Sequence, residues 1–125
     1  MALAIFDLDN TLLAGDSDYL WGVFLTELSV VDRDHYEREN ERFFNAYKAG
    51  TLDIRAFLRF SLRPLRDNPE ADLQHWRQRF VREKIEPIIL PPAVELIDRH
   101  RRAGDTLLII TATNAFVTAP IAQRL

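Results

Sequence analysis

Two short apolar runs stand apart from the rest of the chain. Residues 3–8 (LAIFDL) and 106–111 (TLLIIT) each have the length of a strand, and each gives way abruptly to polar residues. Neither alternates apolar with polar, so both predict strands buried on both faces, as in a parallel sheet covered by helices. Between them the apolar positions recur at helical spacing. Tyr19, Leu20, Val23, Phe24 and Leu28 make one stripe, with Asp16 or Ser17 as its cap. Tyr36, Phe43, Phe44 and Tyr47 make a second, opened by Asp32 or Asp34 and closed by Gly50. Thr51 or Asp53 opens a third, carrying Ile54, Phe57, Leu58 and Leu62, with Pro64 at its end. Asn68 and Pro69 form a cap and first-turn pair for a fourth, with Leu73, Trp76, Phe80 and Val81 on one face.

Beyond residue 85 the pattern changes. Residues 85–90 are an apolar connector broken by Pro87, and Pro91-Pro92 starts a helix bearing Val94, Leu96 and Ile97. That helix ends in Arg99, His100, Arg101 and Arg102, where cations favour the helix dipole, and then Gly104. After the second strand a last helix follows Asn114, with Pro120 inside it. The division expected is therefore 1–16 as core, 17–84 as a helical insertion, and 85–125 as core again. A βαβ crossover needs only about a dozen residues, so this insertion is a unit in its own right. Two strands do not make a viable doubly wound sheet, which predicts that the chain is the N-terminal part of something longer. An exposed apolar patch is expected beside residues 107–110, where further strands would dock.

Composition narrows the classes. The 125 residues suit one modest domain, and a net charge of −3 gives no basic footprint for nucleic acid. The absence of cysteine removes disulfides and thiolate metal sites and fits a cytoplasmic protein. Asp7 and Asp9 interrupt the apolar N-terminus and no basic segment precedes it, so it does not read as a signal peptide. No apolar run approaches the roughly 18 residues of a membrane span. His35, His75 and His100 are scattered without ligand spacing.

The chemistry is concentrated at the ends of the two strands. Asp7 and Asp9, two residues apart on an extended backbone, point to the same side, and like charges that close call for a cation or a reaction. In parallel α/β sheets sites form beyond the carboxyl ends of the strands, which is where Asp7, Asp9 and Thr111 fall. The amides of Leu8, Asp9 and Ala112 are candidate anion donors there. Two carboxylates and a hydroxyl suit phosphoryl transfer. One carboxylate attacks phosphorus, and the other protonates the leaving oxygen and then deprotonates water. The hydroxyl and amides hold the phosphoryl oxygens, and a hard cation such as Mg2+ lets a carboxylate approach the phosphate.

The sequence DLDNT at 7–11 resembles the DxDx[TV] motif of the haloacid dehalogenase superfamily, and LLIITATN at 107–114 resembles its second motif. The helical insertion after the first motif resembles the first class of cap in that superfamily. The whole chain looks most like the phosphoserine phosphatase-like branch, which includes some histidinol phosphatases. The resemblance implies a partial Rossmann-like α/β core with an inserted all-helical cap, the C-terminal half of the core being absent. It implies a Mg2+-dependent phosphatase of a small phosphorylated metabolite, acting through an aspartyl phosphate. Asp7 would be nucleophile and metal ligand. Asp9 would be general acid/base and give its carbonyl to the metal. Thr111 would bind phosphate, and Thr11 would support the loop. By the same resemblance Asp16, otherwise a helix cap, would recognise a substrate amine and Arg59 a substrate carboxylate, while Asn114 is a helix cap or a substrate contact.

One departure matters. The superfamily's later motifs supply a lysine and further metal-binding acids, yet no Lys, Asp or Glu follows Thr111. The isolated chain is therefore expected to be inactive. A phosphotransferase or mutase on the same scaffold, and a non-catalytic binding or regulatory fragment, are the competing readings. Enclosed caps with polar walls favour a small metabolite over protein or nucleic acid.

Overall fold

A computed structural model describes residues 1–125. The elements are β1 (Leu3–Asp7), α1 (Ser17–Glu27), α2 (Arg33–Ala49), α3 (Ile54–Asp67), α4 (Glu70–Phe80), α5 (Pro91–Arg102), β2 (Thr106–Ile110) and α6 (Ala115–Arg124). A π-helical turn (Val81–Ile85) and a 3-10 turn (Glu86–Ile88) bridge α4 to α5. The chain divides into two units, one of residues 1–18 with 78–125, the other of residues 19–77.

In the first unit β1 and β2 pair in parallel as a two-stranded sheet, with Leu3 opposite Thr106 and Asp7 opposite Ile110. The paired, parallel strands and the mixed α/β architecture are as the apolar runs predict. Thr106 N donates to Ala2 O, extending the ladder by one bond, and Ala2 N donates to Asp105 Oδ1. Asp105 also meets His100 Nδ1 at 2.7 Å. First this imidazole, then the Ala2 amide, holds the Asp105 carboxyl below its ordinary range. Gly104, at φ 77°, makes the left-handed turn from α5 into β2.

The prediction that both sheet faces are buried is not met. Burial alternates along β1, with Ala4 and Phe6 inside and Leu3, Ile5 and Asp7 outside. Parallel neighbours share a face, so Leu3 and Ile5 lie beside Leu108 and Ile110, all four 44–58% exposed. An all-apolar run reads as two-sided burial, but helices here cover only one face. The patch expected beside residues 107–110 is thus present, and it includes the outer residues of β1.

The loop after β1 is a tight turn in which Leu8 O accepts from Leu12 N and Leu13 N, with Asn10 at φ 57°. Asn tolerates that left-handed conformation better than most residues. Leu12 and Leu13 are buried, and Leu13 bridges to Ile89. Ala14 N donates to Ile88 O and Leu90 N to Leu12 O, pinning the loop to the approach to α5.

In the second unit every element is helical. Asp32 and Asp53 cap α2 and α3 through their side chains, and Gly50 closes α2 at φ 75°. Tyr36 packs on Phe60 at 4.5 Å, and Phe43 on Phe57 and Phe60 at 5.5 and 5.2 Å. Gly22 on α1 faces Asn40 on α2 so closely that a Cβ there would lie 2.6 Å from Asn40 Nδ2. That approach lets Asn40 Nδ2 donate to Tyr19 O. Two local expectations need correction. Pro64 lies inside α3 rather than at its end, and Asn68 closes α3, its Nδ2 donating to Pro64 O, rather than capping α4. No helix is long and apolar enough to cross a membrane.

Candidate active site

β1 delivers Asp7 as its last residue, exposed at the carboxyl end of the sheet. The Asp7 carboxylate accepts from Leu8 N at 2.9 Å through Oδ1 and from Thr11 Oγ1 at 3.3 Å through Oδ2. The Leu8 amide, a candidate phosphate donor from the sequence, is therefore engaged with Asp7. Thr11 supports the loop through the nucleophile candidate itself.

Asp9 is far more tightly held. Its Oδ1 accepts from Ser17 N at 2.8 Å and Ser17 Oγ at 2.7 Å. Its Oδ2 accepts from Thr113 Oγ1 at 2.8 Å and, at the limit of 3.5 Å, from Thr111 Oγ1. Ser17 Oγ and Thr113 Oγ1 are themselves 3.2 Å apart. Thr111 Oγ1 accepts from Thr113 N at 3.2 Å, so the two threonines after β2 brace each other. Thr111 therefore meets Asp9 across the pair of strands. Ser17 and Thr113 were not singled out from the sequence for this role, although the Thr-x-Thr spacing after β2 mirrors the Asp-x-Asp spacing after β1.

Ala112 is exposed between the two threonines. Asn114 caps α6, its Oδ1 accepting from Val117 N at 3.0 Å, while its buried Nδ2 has no hydrogen-bond partner. Asp16 is half-buried in the loop before α1, and Arg59 is exposed on α3 in the helical unit. Asp18, one turn into this acidic neighbourhood, has its carboxyl pushed up to about 7, first by burial and then by the charges of Asp16 and Asp9.

Two carboxylates two residues apart, one ending β1 and one in the turn after it, beside a hydroxyl at the end of the neighbouring parallel strand, form the set that phosphoryl-group chemistry uses. The model of the haloacid dehalogenase-like hydrolases matches residues 4–125. The chain belongs to that family. It is 43% identical over 119 residues to a histidinol-phosphatase of Neisseria meningitidis serogroup C (strain 8013), a match covering 95% of this chain and 54% of that one. It is also similar to a crystal structure of a protein of unknown function from Bordetella pertussis Tohama I, at 39% identity and a TM-score of 0.89. That match covers 98% of this chain and 56% of the other. The chain thus spans about half the length of the relatives it matches. Within this half, the haloacid dehalogenase-like hydrolase offers hard oxygen donors suited to Mg2+, but no group of three or more His, Cys, Asp or Glu side chains that could hold a metal. The donor type fits the cation and the donor count does not complete a site.

Proposed function

We propose that these residues form part of a phosphatase of small phosphomonoesters, of the histidinol-phosphate or phosphoserine kind. The observation that carries the reading is the Asp-x-Asp loop at the end of β1 lying beside Thr111 at the end of the parallel β2. The similarity to a histidinol-phosphatase supports it.

Asp7, exposed and at the sheet's edge, is the nucleophile. Its oxygen bonds to phosphorus as the ester oxygen leaves, giving an aspartyl phosphate. Asp9 gives its proton to that leaving oxygen and then takes one from the water that attacks phosphorus, returning Asp7 as carboxylate. Thr111 and the amides of Asp9 and Ala112 hold phosphoryl oxygens. Asp7 and the Asp9 carbonyl would hold Mg2+, which supplies charge neutralisation. Two groups leave most of an octahedral shell to water, so the 125-residue chain by itself would bind the ion weakly and turn over poorly.

Substrate choice follows from chemistry. Both candidate substrates carry an amine, which suits Asp16. Only phosphoserine carries a carboxylate for Arg59. The similarity to a histidinol-phosphatase favours histidinol phosphate, a small metabolite of the cytoplasm. The test is Mg2+-dependent phosphate release from both esters by the full-length protein, with and without Arg59→Ala. Preference for histidinol phosphate, untouched by Arg59→Ala, supports the reading. Release from neither ester would overturn it.

A further inference from the structure

We infer that Ser17 and Thr113 are positioning residues for Asp9, forming a closed ring of hydroxyls that holds its carboxylate in one orientation. The inference rests on the phosphatase reading and adds to it two residues that do not touch substrate. Ser17 is fully buried and Thr113 8% exposed, so neither hydroxyl is available to a phosphate.

The ring runs from Asp9 Oδ1 to Ser17 Oγ at 2.7 Å, on to Thr113 Oγ1 at 3.2 Å, and back to Asp9 Oδ2 at 2.8 Å. Counting protons explains its lengths. With Asp9 ionised, two hydroxyl protons serve three oxygen–oxygen contacts, and both go to the charged oxygens. The contact left without a proton is the one between the hydroxyls, which is the longest. The proton given to the leaving oxygen must sit on the Oδ2 lone pair outside the ring, where only Thr111 Oγ1 approaches, at 3.5 Å, and both ring hydroxyls go on donating to the carboxyl. Two neutral hydroxyls thus hold the same orientation throughout, whereas a lysine or arginine in their place would favour the ionised carboxylate alone. A residue that must be acid in one step and base in the next needs such a cradle.

The rest of the fold holds the ring in place. Ser17 N, the first amide of α1, donates to Asp9 Oδ1, and Thr118 Oγ1 donates to Thr113 O, fixing Thr113 to the start of α6. A purely structural account would have Asp9 serve only as anchor for the start of α1. The two accounts differ in what they predict for the leaving group.

The experiment compares Ser17→Ala, Thr113→Val, and the hydroxyl-retaining Ser17→Thr and Thr113→Ser in the full-length protein, with Asp9→Asn as reference. kcat/KM reports the first phosphoryl transfer and is measured on an alkyl phosphate, histidinol phosphate, and on p-nitrophenyl phosphate, whose leaving group needs no proton. Ser17→Ala and Thr113→Val should lose about tenfold on the alkyl ester, as a misplaced acid does, and less than about twofold on the aryl ester. The hydroxyl-retaining variants should restore the alkyl rate. Equal loss on both esters, or no rescue, would overturn the positioning role. If Asp9→Asn itself shows no leaving-group dependence, the assignment of Asp9 as acid fails and the phosphatase mechanism fails with it. A leaving-group effect in Asp9→Asn with none in the hydroxyl variants would sink the ring alone.

Discussion

Asp9 and Thr113, 104 residues apart in sequence, meet at 2.8 Å, and that bond joins the loop after β1 to the loop after β2. An asparagine at position 9 could keep the ring, its oxygen accepting from Ser17 and its amide donating to Thr113, which frees the Thr113 hydroxyl to turn to Ser17. Asp9→Asn is therefore expected to change stability by less than about 1 kcal/mol. Asp9→Ala strands the buried hydroxyls and the first amide of α1, and should cost about 2–3 kcal/mol. Urea unfolding of the two variants separates these outcomes.

Asp18 sets a pH dependence of opposite sign to ordinary acid denaturation. Its carboxyl titrates at about 7 in the fold against 3.8 ordinarily, so the folded chain binds more protons than the unfolded one between those values. Stability should fall as pH rises from about 4 to about 7 and level off above, by on the order of 4 kcal/mol. Asp18→Asn should flatten that slope and raise the melting temperature most at pH 8. A parent slope unchanged by the substitution would contradict the burial assigned to Asp18.

Gly22 tests the helical unit separately. Gly22→Ala places a methyl 2.6 Å from Asn40 Nδ2 and forces that side chain off Tyr19 O. The expected cost is about 1–3 kcal/mol by thermal unfolding. In an Asn40→Ala background the same change should cost little or stabilise, since alanine favours the helix.

The outer sheet face offers a test of solubility. Ile5 and Leu108 are neighbours on the exposed face. Replacing both with Thr, a good strand former, should lower aggregation of the 125-residue chain while shifting stability by no more than about 0.5 kcal/mol per site. A large loss of stability would mean that the face is covered in solution.

Much of this architecture was legible because it is local. The strands are apolar runs, and Asp32, Gly50, Asp53 and Asn114 cap the helices that their neighbours' periodicity predicts. The Asp-x-Asp loop was visible for the same reason. One-sided burial of the strands was not, because an all-apolar run looks alike whether one face or both are covered. Ser17 and Thr113 were hidden differently. Each has a sufficient local explanation, as helix start and turn residue, and only parallel pairing of β1 with β2 brings them to one carboxylate. The π-helical turn at Val81–Ile85 has no sequence signature that periodicity could supply.

The central claim is that Asp7 is the nucleophile, and the most direct test is phosphate release from histidinol phosphate with Mg2+ by the full-length protein and its Asp7→Asn variant. The amide keeps the shape of the side chain but cannot form an acyl phosphate. The account predicts turnover in the parent and a loss of at least about a thousand-fold in Asp7→Asn at unchanged melting temperature. Undiminished release by Asp7→Asn would contradict it.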